Sequence, residues 1–122
     1  MEKVFFAVGA ISAGVAVAAG AFGAHGLRDR LSAEMLVVFE TAARYQMYHA
    51  LALLALPWAA TRFSASLVNT AGGLFVAGTI LFSGSLYLLA LTETRWLGAI
   101  TPLGGVAFLA GWVCLAWASL RG

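Results

Sequence analysis

Apolar residues dominate the chain in four long runs separated by short polar breaks. The first, from Val4 to Ala24, carries no charge. The second begins near Tyr45 and reaches Thr61 before Arg62, the third extends from Leu67 to Leu91, and the fourth from Leu97 to Leu120. A helix rises about 1.5 Å per residue and the hydrocarbon core of a bilayer is about 30 Å thick, so about 20 mostly apolar residues cross it. These runs predict an all-α membrane protein, a bundle of four transmembrane helices with spans near 4–24, 45–61, 67–91 and 97–120. All 122 residues read as a single integral membrane domain. Only the second run is short of the nominal length, which makes it the membrane part of a longer helix that starts upstream.

The one long polar segment, 25–44, has a pattern of its own. Leu27, Leu31, Met35, Val38, Phe39 and Ala42 recur at three-to-four spacing, which makes one apolar face of a helix. A short amphipathic helix over about 27–44 is expected between spans 1 and 2, lying at the interface or tilting directly into the second span. A simple polar loop is the alternative. Ser32 is placed to cap this helix, and Glu34 suits the positive end of its dipole. The first run has a second reading, because Lys3, an apolar stretch and then Ala19, Gly20 and Ala21 also suit a cleaved secretory signal. Its length exceeds the usual signal core, and its Gly/Ala spacing favours a retained, packed span. Gly9/Ala13, Gly14/Ala18, Ala16/Gly20/Ala24 and Ala19/Gly23 put small residues four apart, as do Gly73/Ala77 and Ala107/Gly111. Such spacing lets membrane helices approach closely.

Composition then narrows the classes. The chain is 62% hydrophobic and only 10% charged, with a mean hydropathy of +0.94. A soluble domain carries about 25% charged residues, and a disordered chain needs low hydrophobicity, so both are excluded. Seven basic residues against five acidic ones are scattered along the chain rather than massed, which argues against nucleic acid as a partner. The lone Cys114 lies within an apolar run and reads as packing.

Connectivity sorts the polar residues. If the N-terminus lies on side A, four spans put 25–44 and 92–96 on the opposite side B, and 62–66 on side A. His25 then closes the first span at side B, and His49 lies about one turn into the second span from that side, near Tyr45 and Gln46. Ser83, Ser85 and Tyr87 fall in the B-side half of the third span, and Thr101 with Pro102 opens the fourth. Trp58, Trp112 and Trp117 fall in the plainer A-side half and suit an interfacial belt. His25, Arg44, Tyr45, His49, Ser83, Tyr87 and Thr101 form a candidate polar pocket in one leaflet. Polar groups within a membrane mark binding sites or pathways, and they also knit helices together. Glu40 and Arg44, four apart in the favourable order, form a candidate structural ion pair, with His49 well away from it around the helix. Two histidines admit a bis-histidine haem. The chain has no Cys-x-x-Cys-His attachment sequence and no His/Glu cluster at ligand spacing, so neither metal nor cofactor is expected.

Four segments carry a family likeness: GAFGAHGL (Gly20 to Leu27), YQMYHALALL (Tyr45 to Leu54), LFSGSLYLLALT (Leu81 to Thr92) and LGAITPLGGVAFLAGW (Leu97 to Trp112). In order and spacing they resemble the YgdD family of small four-helix integral membrane proteins, which occur in bacteria and have mitochondrial relatives. The resemblance covers essentially the whole chain. It implies uncleaved spans and a multi-pass place in the bacterial inner membrane. The family is one of unknown function, so it assigns no catalytic or binding residue. Its motifs draw attention to Gly23, His25, Gly26, Tyr45, His49, Ser83, Gly84, Tyr87, Thr101 and Pro102.

Without recognisable catalytic machinery, the chain reads as a non-enzymatic interaction or accessory subunit of a membrane complex. Its expected partners are the lipid bilayer and other membrane proteins, or further copies of itself as a homo-oligomer. The alternatives are an oligomeric carrier or channel for a small solute, and a lipid or quinone binder using the one-sided polar pocket. Arg28, Arg30, Arg44 and Arg95 on side B balance Lys3, Arg62 and Arg121 on side A, so charge does not set the orientation.

Overall fold

Serine hydroxyls start two of the helices. Ser32 Oγ accepts the Met35 N–H at 3.1 Å, as its position before an apolar-periodic run predicts, and Ser64 Oγ accepts the Leu67 N–H at 3.4 Å. The computed structural model describes residues 2–121. Its α-helices are α1 (Glu2–His25), α2 (Ala33–Arg62), α3 (Ala65–Gly78), α4 (Gly84–Thr92) and α5 (Thr101–Arg121). A π-helical segment, Thr79–Ser83, joins α3 to α4 into one long rod, and a 3-10 turn, Arg95–Ala99, leads into α5. The described residues thus form four helical rods and no strand. His25, Ala33, Thr92 and Thr101 mark one end of the bundle, side B, and Glu2, Arg62, Ala65 and Arg121 mark side A.

Three rods are long and apolar enough to cross a membrane: Glu2–His25, Ala65–Thr92 and Arg95–Arg121. The fourth, α2, is long enough at 30 residues, but its first half is polar. It is also the rod that the others cover, with Met35, Phe39, Ala42, Ala43, Gln46, His49, Ala50, Leu53, Leu56 and Ala59 all buried. It packs along α1 on one side and along α3 and α4 on another, while α5 packs mainly on α3.

Of the two arrangements expected for the amphipathic stretch over 27–44, the one that runs directly into the second span forms, and a separate short helix between spans 1 and 2 does not. Residues 26–31 make a turn, closed by the Gly26 and Leu27 N–H groups on the Phe22 carbonyl at 2.7 and 3.1 Å and anchored by the buried Leu27 side chain. From Ala33 the amphipathic stretch is simply the first part of α2, which continues to Arg62. No helix-breaking residue separates Ala33 from Tyr45, so the helix started at Ser32 propagates directly into the apolar run.

Close helix approach depends on glycines that seat aromatic rings. Phe75 of α3 lies over Gly111 of α5, while Phe108 of α5 lies over Gly78 of α3, a reciprocal interlock. A Cβ at Gly104 would collide with the Phe82 backbone nitrogen, so α5 touches the π segment backbone to backbone. Gly9 meets Leu53 and the Ala50 carbonyl, and Gly23 seats Phe39, which holds α1 to α2 along its length. Not every small-residue position is used in this way. Gly14, Gly20 and Gly73 have open space where a Cβ would stand.

The core falls into two apolar parts. Phe5, Leu53, Leu56, Val68, Ala71, Phe75, Phe108 and Ala118 fill the A-side portion, and Leu27, Phe39 and Ala90 fill the B end. Polar side chains lie between them.

Candidate functional site

Gln46 is the hub of that polar layer. Buried on α2, it donates through Nε2 to the carbonyl and hydroxyl oxygens of Ser12 on α1, at 3.1 and 3.2 Å. Its Oε1 accepts the Tyr87 hydroxyl of α4 at 2.6 Å. One amide therefore ties three helices. Tyr87 is held for this by an edge-on contact with Phe39, ring centroids 5.0 Å apart.

The π segment supplies the next tie. Its wider turn is closed by the Gly84 N–H on the Thr79 carbonyl, five residues back. Ser83 at its end donates to the Ala42 carbonyl of α2 at 2.8 Å and is fully buried. Ser85 Oγ donates to the Phe82 carbonyl at 3.0 Å and lies 2.6 Å from Thr101 Oγ1. The single serine proton is used on the carbonyl, so Thr101 is the donor in that second bond. It secures the start of α5 to α4.

His49 occupies an aromatic box. Its ring stacks on Phe108 with centroids 3.5 Å apart and planes within 5°. Phe75 and Trp112 flank it at 5.3 and 5.7 Å. Nδ1 lies 2.8 Å from the Tyr45 carbonyl, and Nε2 receives the Trp112 indole N–H at 3.0 Å. A carbonyl only accepts, so Nδ1 carries the proton and Nε2 presents its lone pair to the indole. Both nitrogens of a neutral ring are engaged, and the residue is 4% exposed. A groove of about 380 Å³ runs beside this box between α2 and α5, walled by Tyr45, Phe82, Pro102, Val106 and Leu109.

His49, Ser83, Tyr87 and Thr101 of the expected pocket therefore fall within this layer as separate helix-to-helix ties. Tyr45 lends His49 its backbone carbonyl and sets its exposed ring against Phe82 in the wall of the groove. His25 and Arg44 do not join them. His25 closes α1 at the B end, exposed, beside a groove that also touches Arg28 and Glu40. Arg44 points outward and donates through Nη2 to Glu40 Oε1, with the two side chains 52% and 66% exposed. The two histidines are not brought together. Gly9 of α1 packs against Ala50, which sets His49 about 22 Å from His25 along the bundle by helical rise. Among the described residues no group of three or more His, Cys, Asp or Glu is placed to hold a metal.

Sequence reasoning missed Ser12 and misplaced Trp112. Ser12 looked like one more small residue in an apolar span. Trp112 looked suited to the interfacial belt, yet its indole reaches the histidine 63 positions away in sequence. Neither partnership leaves a local signal.

Comparison with known proteins places these features in a family. The profile described as "Protein of unknown function (DUF423)" matches residues 19–105. A UPF0382 membrane protein of Staphylococcus epidermidis is 52% identical over 119 residues, covering 98% of this chain and 97% of the relative. The UPF0382 membrane protein SSP2132 of Staphylococcus saprophyticus is 54% identical over 113 residues, 93% of each. The UPF0382 membrane protein YwdK of Bacillus subtilis is 49% identical over 120 residues, 98% of each. No solved structure matches.

Proposed function

Since this chain belongs to the DUF423 family, an uncharacterised family of small membrane proteins, we propose that it is a multi-pass accessory subunit of the bacterial inner membrane. In this reading it associates with other membrane proteins and carries out no chemistry of its own. All four rods cross the bilayer, α2 included, because α2 runs antiparallel to α1 from the Gly23–Phe39 contact to the Gly9–Leu53 contact. Of its polar first half, Gln46 is covered by protein, while Glu34, Glu40 and Arg44 stay exposed and the last two pair with each other.

One observation carries the reading. Gln46, Ser83, Ser85, Tyr87, Thr101 and His49 are each bonded to another helix or to their own backbone. A hydroxyl or imidazole engaged in this way is a strut, because acid–base or nucleophilic work needs a group free to face a substrate. The same geometry weakens the quinone-binding alternative: the groove beside the box is present, but His49 offers it neither ring nitrogen. The outer face of α1, with Ala7, Ala10, Gly14 and Ala21 exposed, gives a neighbouring helix room for close approach.

Purification from native membranes in mild detergents and in lipid nanodiscs tests the proposal. A defined oligomer or a reproducible set of companion membrane proteins is the expected result. A strictly monomeric species without companions in every condition would overturn it.

A further inference from the structure

The Glu40–Arg44 pair is in the wrong surroundings for a lipid-facing surface. Ser83 is bonded to the Ala42 carbonyl, which sets residue 83 of the α3–α4 rod level with residue 42 of α2. Counted by helical rise, Leu91 lies about 12 Å from that level toward side B, and Glu40 only about 3 Å. Arg44 lies about 3 Å the other way. Leu88 and Leu91 are 53% and 51% exposed, so apolar surface extends well beyond both charges toward the headgroups. Phe22 of α1, 55% exposed and close to the level of Glu40, continues the same belt. A carboxylate and a guanidinium, each more than half exposed, thus sit at the depth of this apolar belt of Phe22, Leu88 and Leu91. Ionisable side chains at that depth are costly in contact with lipid and are found facing protein or water.

The exposed face around them has a regular form. Val37, Thr41, Arg44, Tyr48, Leu51, Ala55 and Trp58 follow one another at alternating steps of four and three along α2. Thr41 is half-buried and the others are exposed. That is the seam spacing of a left-handed helix pair, and Glu40 falls beside the seam, where charged residues of such pairs reach across to the facing helix. The patch carries one positive and one negative group, so it complements itself. The single Arg44–Glu40 bond leaves the second carboxylate oxygen and further guanidinium donors free to point outward.

We propose that this seam of α2 is the contact surface of a homodimer. Its two copies lie side by side in the membrane, and Glu40 and Arg44 of both close into one neutral ring of alternating charges. This deepens the reading of the chain as an interaction protein by naming a second copy as the first partner. The two-fold axis runs along the membrane normal, so each seam residue faces its own counterpart. Each guanidinium bridges its own carboxylate and that of the other copy, which removes all four charges from lipid.

Disulfide cross-linking in native membranes tests it, on a Cys114→Ala background. Val37→Cys and Tyr48→Cys are expected to give cross-linked dimers under mild oxidation, and Val113→Cys on the outer face of α5 is expected to give none. Glu40→Arg and Arg44→Glu, each combined with Tyr48→Cys, are each expected to lose the dimer band. Co-expression of the two is expected to restore it, because unlike charges then meet only between copies. This rescue separates a lost contact from a failure to fold. Absence of cross-links at both seam positions, cross-linking as strong at Val113→Cys, or single charge variants that dimerise like the parent would each overturn the homodimer. If the seam fails while companion proteins still co-purify, the accessory role stands and only this partner is wrong.

Discussion

His49 shows what a polar side chain does when every valence is used. Its ring is a hydrogen-bond donor on one edge, an acceptor on the other and a stacking surface for Phe108. Replacement by phenylalanine keeps the stack and leaves the Trp112 indole N–H without its partner. Hydrogen bonds between membrane helices contribute about 0.6 kcal/mol on average and up to about 1.7. A double-mutant cycle of His49→Phe and Trp112→Phe, read by unfolding in a mixed detergent titration, is therefore expected to show a coupling of about 0.5–2 kcal/mol. A coupling near zero would remove the tie between α2 and α5 from the account. Sequence alone singled out His49 as a polar residue within a span. It could not show that the residue is sealed, because the sealing groups come from α3 and α5.

At the scale of helices, two kinds of glycine are present and they respond differently to the same change. Gly104 meets the Phe82 backbone, which cannot move aside without disturbing the π segment, whereas Gly14 faces open space. Gly104→Ala is expected to destabilise the protein by about 1–3 kcal/mol through overpacking. Gly14→Ala is expected to be neutral or to stabilise by up to about 1 kcal/mol through lower backbone entropy in the unfolded state. Thermal or detergent unfolding of the two variants, compared side by side, checks the contrast. Helix starts at Ser32 and Ser64 are written in local residue types. The π segment is not, since TILFS is an ordinary apolar string whose wide turn accompanies the fit of Ser83 on α2 and of Phe82 against Gly104. The amphipathic segment was legible as a helix, and its run into the second span was one of the two arrangements expected, because the second apolar run is too short to cross alone. Periodicity marks a face rather than an end, so it did not choose between them.

For the molecule as a whole, what matters is that three apolar rods partly enclose a less apolar one, whose face from Val37 to Trp58 stays open. The proposed four crossings put Ser32 and Ser64, at the two ends of α2, on opposite sides of the membrane. With Cys114→Ala as background, Ser32→Cys and Ser64→Cys are expected to react with a membrane-impermeant thiol reagent from opposite faces of sealed vesicles. Labelling of both from the same face would leave α2 outside the bilayer. Connectivity puts His49 about one turn inside side B, but α2 already begins at Ala33, so His49 and Gln46 lie level with Gly9 and Ser12 of α1. The polar layer therefore reaches the middle of the bundle instead of staying at one side. The division of polar residues into inward struts and an outward Glu40–Arg44 pair was not legible either, since it depends on how α2 is rotated against its neighbours.

That enclosure of α2 bears on how the chain reaches its place. A segment containing Glu34, Glu40, Arg44, Gln46 and His49 gains little by partitioning into lipid alone. α1, uncharged from Val4 to Ala24 and already made when α2 leaves the ribosome, presents Gly9, Ser12 and Gly23 as the surface on which α2 rests. If α2 crosses as proposed, the two helices are expected to enter the bilayer as a hairpin, and the bonds that stiffen the finished bundle would first serve as the means of its insertion.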